Sequence, residues 1–427
     1  MDLLDKTKFW LGGALLPLCI GAAAAATDTI PVGQLVDFSG PTADVGTAYG
    51  QGVADAIAYV NLKGGVGGKR IDAATVDYSY QVPRAIAAYK NWASTAVAIQ
   101  GWGTADTEAL TTFVTKDRIS YFSASYAAAL TDPLGESKAD KATPYNFFYG
   151  PSYSDAGRAL VQWAAEDWKK RGGQGKPKYV HMGANHPYPN SPKAAAEEYA
   201  VELGFEVLPA IQYALTPGDY TAQCLTLKQS GANYAYLGNT AGSNISVLKA
   251  CQTAGVQVQF LGNVWGMDEN AMKAAGSAAN GVVFPLRTAT IWNTKAPGMA
   301  LMREISKISD PSGTAYRPLH YLAGACSALY MTEAMEWAAT HGGVTGTNIK
   351  TGMYARQNWV PAGADGVCKP STWSESDHRG LLEVDLYRAE IKGATEAPLT
   401  DLIANGVVRM SKVSTVNLPR KKEWLGW

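Results

Sequence analysis

The sequence has no excess of charge of either sign. Lys plus Arg and Asp plus Glu each number 37 among 427 residues, so the formal net charge is zero. Nucleic-acid binding usually needs a basic excess, and the terminal run PRKKEW is too short to supply one; it reads as a solvated end. Histidine is scarce. Of His181, His186, His320, His341 and His378, only the first two are close in sequence, and HMGANH holds no third ligand for a metal. No HExxH and no GxSxG occurs, and no GxGxxG follows a strand-like run. KGGVGGKR (63–70) has the wrong glycine spacing for a phosphate loop, and Arg70 follows Lys69 where Ser or Thr is required. These absences exclude enzymes that carry a local catalytic signature, and no cofactor is expected. Beyond the N-terminus no run reaches the ~20 apolar residues of a membrane span.

What is present begins with a leader. Lys6 and Lys8 precede an uncharged stretch from Phe9 and a tract of alanines. Ala24-Ala25-Ala26 meets the small-residue cleavage rule, so residues 1–26 are expected to be a signal peptide cut after Ala26. An uncleaved anchor is the competing reading. Cys19 follows Leu18, not the small residue that lipoprotein processing wants. Four cysteines remain: Cys224, Cys251, Cys326 and Cys368. In an oxidising compartment they permit two disulfides in any of three connectivities, the pairs nearest in sequence being Cys224–Cys251 and Cys326–Cys368; free buried thiols are the alternative.

After the leader, strand-like and helix-like runs alternate. Strands are expected at 30–38, 69–78, 95–102 and 119–125. Helices are expected at 47–65, where Val53, Ile57 and Val60 share a face, at 83–94 and at 107–117. The rhythm restarts after Pro151 with a helix at 154–173, for which Ser154 is the expected cap. Strands follow at 178–184, 205–213, 234–240, 258–264 and 281–286, with helices at 191–204, 220–231 and 244–255. A long helix is expected at 319–343, and 380–393 alternates like strands with a turn. Such alternation implies βαβ units and parallel sheets covered on both faces.

In parallel sheets, sites lie beyond the carboxyl ends of the strands. Here those ends read GWGTAD, SASYA, GANHPYPNS, GNTAGSN and GNVWGMDEN. Any one of them is a plausible turn. Their recurring mixture of glycine, hydroxyls, Trp and Tyr is that of a small-molecule pocket.

In their order and spacing, several segments resemble the periplasmic solute-binding proteins of the branched-chain amino acid (Leu/Ile/Val) type, partners of ABC importers. They are VGQLVDFSGPTADVG, DAIAYVNLKGGVGGKRIDAATVDY, GWGTADTEAL, ISYFSASYAAALTD, GDYTAQCLTLKQSGANYAYLGNTAG, VQFLGNVWG and STWSESDHRGLLEVDLYR. The resemblance implies the type I periplasmic binding fold: two Rossmann-like α/β lobes, parallel sheets flanked by helices, hinged by three crossovers. One lobe would hold residues 27–150 with a return segment at about 287–345. The other would hold 151–286 with later segments, the C-terminal region 346–427 being shared. It further implies a monomer in the periplasm that captures a small molecule and meets ABC permease and ATPase subunits. A ligand-sensing subunit for a membrane receptor and an enzyme on the same scaffold are the alternatives.

Position by position, the resemblance places the ligand carboxylate at Thr104 and at Ala124, Ser125 and Tyr126, with Trp102 beside them. The facing positions are Tyr188, Thr240, Val264 and Trp265, and Tyr153 lies at the crossover. One departure bears on the ligand. Amino-acid binders of this family carry an acid after the FLG strand, to pair with the ammonium. Here Val264, or Trp265 after a one-residue shift, takes that place, and Asp268 and Glu269 come later. A buried ammonium without a carboxylate is costly. Either Asp268 substitutes, or the solute carries no ammonium. An aromatic or other organic acid would stack on Trp102, Tyr126, Tyr188 and Trp265, and a quaternary ammonium would use the same rings.

Overall fold

The computed structural model describes residues 28–139 and 141–427. The leader and the expected cut after Ala26 lie outside the described residues. Short apolar runs become the strands of two sheets. The first contains β1 (Ile30–Val36), β2 (Ile71–Asp77), β3 (Ala98–Gln100), β4 (Ser120–Ser123) and β5 (Asn146–Phe148). All are parallel, in the order β2-β1-β3-β4-β5. The second contains β6 (Lys178–Gly183), β7 (Glu206–Val207), β8 (Ile211–Gln212), β9 (Tyr234–Leu237), β10 (Gln259–Gly262), β11 (Val283–Leu286), β12 (Glu383–Ile391) and β13 (Val408–Asn417). Its order is β13-β12-β11-β10-β9-β6-β7, with β8 also on β6. It is parallel from β6 to β11, and β12 and β13 extend it antiparallel.

Three connections join the layers. The chain leaves the first sheet after Phe148 and enters the helix Tyr153–Lys170, which packs on the second. It leaves the second after Leu286 and returns to the first through the helices Met299–Ser306, Leu319–Thr340 and Gly346–Tyr354. It rejoins the second at Glu383. The helix Leu319–Thr340 lies against the helix Ala43–Leu62, backbone to backbone. A Cβ on Gly52 would come within 2.1 Å of the Tyr321 carbonyl oxygen, and one on Gly324 within 2.2 Å of that of Tyr49. Glycine at both positions therefore permits the close approach of these two helices, which carry Tyr49 and His320.

The structure corrects the sequence reading in four places. Ser152, not Ser154, caps the helix that begins at Tyr153, its hydroxyl accepting from the Asp155 N–H at 3.0 Å. The run 205–213 breaks into β7 and β8 around Pro209, because proline cannot donate to a ladder. The segment 380–393 is not a hairpin: its strand β12 pairs with β13, beyond the helix Leu399–Ala404. Strand β5 was not expected at all. The cysteines join as Cys224–Cys251, between the helices Thr221–Ser230 and Ala241–Thr253, and as Cys326–Cys368, tying Leu319–Thr340 to the segment before β12.

Candidate functional site

The carboxyl ends of both sheets open onto one buried space. Its lining is Thr42, Tyr80, Trp102, Gly103, Thr104, Ala124, Tyr153, Tyr188, Thr240 and Trp265. The void between them is about 10 Å³, room for about one water. Seven of the ten residues expected from sequence line it: Trp102, Thr104, Ala124, Tyr153, Tyr188, Thr240 and Trp265. Ser125, Tyr126 and Val264 are buried immediately behind. Ser125 shares a hydrogen bond with the Thr104 hydroxyl at 2.8 Å. Tyr126 stacks on Trp265, their centroids 5.6 Å apart. Val264 offers its carbonyl to Arg287.

Thr42, Tyr80 and Gly103 were missed, yet the strand-end rule covers them. Thr42 lies in the turn after β1 and Tyr80 in the turn after β2. Ser79 and Tyr80 both adopt left-handed backbone, with φ of 52° and 58°. For a bulky residue that is a strained conformation of the kind found at binding sites.

A chain of hydrogen bonds holds part of the wall on the first sheet. Asp37, at the end of β1, accepts from the Gly40 N–H at 2.6 Å, the Thr42 N–H at 2.9 Å and the Thr42 hydroxyl at 2.6 Å. Thr42 in turn accepts from the Trp102 indole N–H at 2.9 Å. The indole is thereby fixed in position. Asp106 accepts from the Tyr78 hydroxyl at 2.7 Å. Burial raises its carboxyl to about 7.

The opposite wall is arranged differently. Asn263 follows β10 and accepts from both the Trp265 N–H at 2.7 Å and the Tyr188 hydroxyl at 2.8 Å. The Trp265 indole N–H donates to the Tyr153 hydroxyl at 3.0 Å. Behind the indole lies Arg287, fully buried, its guanidinium carbon 3.8 Å from the ring centroid. Arg287 donates to the Val264 carbonyl at 2.6 Å and contacts His320 Nδ1 at 2.5 Å. Burial, and then the Arg287 charge, hold the His320 pKa well below its usual value. The ring is neutral, so Nδ1 accepts. Its Nε2 lies 3.6 Å from Asp268 Oδ2. Burial, reinforced by the Glu269 charge, raises the Asp268 carboxyl to about 8. At pH 7 that contact joins two neutral groups and is not an ion pair.

Neither acid after the FLG strand reaches the void. Asp268 caps the helix Glu269–Ala275 by accepting from the Ala271 N–H at 2.7 Å. Glu269 accepts from the Leu319 N–H and the Tyr316 hydroxyl. Across the mouth, Asp44 Oδ2 accepts from the Gly242 N–H at 2.5 Å. No three-residue metal cluster of His, Cys, Asp or Glu occurs among the described residues. His186 caps the short helix Pro187–Asn190, and His181 is buried with its pKa pushed down to about 3. A larger groove, about 890 Å³, lies between residues 132–138 and the C-terminal segment. It is built away from the strand ends, and its charges pair with one another, Asp377 with Arg379 and Arg420.

Two parallel-sheet lobes with their carboxyl ends facing across an aromatic cleft define the type I periplasmic binding fold. The model of the periplasmic binding protein family matches residues 29–396, and the chain belongs to that family. Similar solved structures include an ABC transporter substrate-binding protein of Aeropyrum pernix (24% identity, 93% of this chain and 98% of the other, TM-score 0.74). Another is a fatty acid ABC transporter substrate-binding protein of Thermomonospora curvata (18%, 91% and 92%, TM-score 0.75). A third is a branched-chain amino acid ABC transporter protein of Thermus thermophilus with bound valine (19%, 89% and 100%, TM-score 0.73). No curated protein sequence matches the chain. No helix among the described residues is long and apolar enough to cross a membrane.

Proposed function

We propose that this protein is the solute-capturing subunit of an ABC importer, exported to the periplasm by a leader cut after Ala26. It captures a small carboxylated solute and delivers it, unaltered, to the permease. One lobe comprises 27–150 with the return segment 287–345, the other 151–286 with the later strands. The observation that carries this reading is the cleft itself: ten buried or half-buried residues from both sheets meet there, rich in aromatic walls and hydroxyls. The Thr240 hydroxyl is buried without a partner, and Thr104 and Ser125 lie at the strand ends where a carboxylate would accept charge-assisted hydrogen bonds. Closure is a hinge motion that the solute favours by binding the closed form. Valine and fatty acids, named for two of the similar structures, both carry a carboxylate.

The test is a thermal-shift screen of amino acids, aliphatic acids and aromatic acids, since a ligand that binds only the folded form raises Tm. Tyr126→Ala should weaken binding of the best solute at least about tenfold, about 1.4 kcal/mol. Unchanged affinity would remove Tyr126 from the site. Conversion of the solute on incubation would overturn the transport reading in favour of an enzyme.

A further inference from the structure

One of the side chains that line the void reaches across the cleft. Trp265 stands at the end of β10 in the second sheet, but its indole lies in a box made largely by the other lobe. Trp102 meets it edge-on at 4.9 Å, Tyr49 edge-on at 5.5 Å, and Tyr126 stacks at 5.6 Å with 19° between planes. His320 closes one side, 5.1 Å away. Tyr49, Trp102 and Tyr126 belong to the first sheet and its helices, and His320 to the helix packed on them. Separation of the lobes therefore withdraws the indole and leaves the box open.

The floor of that box carries an unanswered charge. Arg287 has no solvent exposure, and among the described residues it makes no ion pair. Two of its contacts are to a carbonyl and a neutral imidazole, and its Nε has no partner. The hydroxyls of Tyr49 and Tyr126 are also buried without partners. A buried cation with no counter-charge is strongly unfavourable, and the unpartnered Nε–H of a guanidinium near phenolic O–H groups is a donor set suited to a carboxylate. The acids nearby do not serve: Asp268 caps a helix, and Glu269 binds Leu319 and Tyr316.

Resting on the reading of the cleft as a solute site, we infer that the indole of Trp265 occupies the place of the ligand's ring. The solute is a planar aromatic carboxylate, its ring held by Trp102, Tyr49 and Tyr126 and its charge neutralised by Arg287. Arg287, and not the mutually bonded hydroxyls of Thr104 and Ser125, then takes the carboxylate. The missing acid after the FLG strand follows from the same chemistry, because such a solute brings no ammonium to neutralise.

The experiment is calorimetric titration with benzoate, with benzamide as an uncharged probe of the same shape, and with L-leucine. The wild-type protein should bind benzoate at least about tenfold more tightly than benzamide, as charge-assisted hydrogen bonds to a buried guanidinium require. Arg287→Met should bring the benzoate-to-benzamide ratio to about one. Tyr126→Phe keeps the ring and removes only the hydroxyl, so it tests the same anion site if Arg287→Met does not fold; it should weaken benzoate about tenfold and benzamide less. Trp265→Ala should bind benzoate at least as tightly as wild type, because the indole no longer competes. A wild-type protein that binds L-leucine but not benzoate overturns this inference and leaves the proposed function standing. Failure to bind either overturns the inference as well. An unchanged benzoate-to-benzamide ratio in Arg287→Met, or in Tyr126→Phe where Arg287→Met is not recovered, removes the anion anchor.

Discussion

The turn at Asp37 and the surroundings of the Trp265 indole differ in how they meet the cost of burying polar groups. On the first sheet, Asp37, Thr42 and Trp102 form a chain in which each group finds a partner in the protein. Around the Trp265 indole, Arg287 Nε, the Thr240 hydroxyl, His320 Nε2 and the hydroxyls of Tyr49 and Tyr126 have none. A satisfied network rigidifies, whereas a partly satisfied one is costly in a low-dielectric interior. The turn at Asp37 is thus a finished platform that positions the Trp102 ring. The surroundings of the indole keep several buried polar groups without a partner in the protein.

The largest effect should come from breaking the finished platform. Asp37→Ala removes one carboxylate and leaves the Gly40 N–H, the Thr42 N–H and the Thr42 hydroxyl without their acceptor. Hydrogen bonds to a charged group and the desolvation left behind put the loss at about 3 kcal/mol. Urea denaturation should show it as a lower midpoint with an unchanged m-value. A loss under about 1 kcal/mol would mean that water replaces the carboxylate and that the platform is not rigid.

The surroundings of the indole should respond to pH rather than to truncation alone. The folded-state pKa of Asp268, about 8, lies above its ordinary value of 3.8. Its contribution to stability is therefore complete below about pH 3.8 and is lost as pH rises to about 8. Each pH unit within that window costs about 1.4 kcal/mol for one fully differential proton. Asp268→Asn keeps a good helix cap and cannot ionise. Its stability should fall less than that of wild type between pH 6.5 and 8, a difference of about 1–2 kcal/mol. His320 acts with the opposite sign and in a different range. Its pKa is depressed, so its contribution is present above about pH 6.5 and lost as pH falls below. Parallel pH profiles for the variant and wild type would show that Asp268 is already ionised in the fold.

How much of this was legible in sequence followed the physics of each feature. Strands such as β1 and β9 are buried along most of their length, so they show as apolar runs. Strand β5 has three residues, too few for a period to register. The partner of β12 lies beyond a helix, and alternation within 380–393 says nothing about which strand it meets. At the site, the strand ends GWGTAD and GNVWGMDEN contain Trp102, Thr104 and Trp265, which the family resemblance singles out, and the same rule applied to DYSYQ after β2 takes in Tyr80. Arg287 left a fainter mark: a single arginine directly after the buried run VVFPL. Its isolation from any carboxylate is a property of the folded structure, and so is the placement of the Trp265 indole among side chains of the opposite lobe.

The smallest effect should come from the contact that spans both walls at the cleft mouth. Asp44, in the first turn of the helix Ala43–Leu62, accepts from the Gly242 N–H at the start of the helix Ala241–Thr253. A carboxylate at a helix N-terminus contributes about 0.3–1 kcal/mol at a solvent-accessible site; the Asp44 side chain is solvent-accessible, although desolvation at the closed mouth raises its carboxyl to about 6. The two helices lie on different lobes, so this contribution exists only when the cleft is closed. Asp44→Ala should therefore leave the urea midpoint within about 0.5 kcal/mol of wild type, the usual range for a surface change, while shifting the solute-free protein toward the open form. A spin-label distance across the mouth reads that shift directly, and raised salt should reduce the difference between variant and wild type because the contact is screened. A closed-state distance distribution unaltered by the substitution would mean that the filled aromatic box, and not the rim, holds the lobes together. Trp265→Ala would then open the cleft where Asp44→Ala does not.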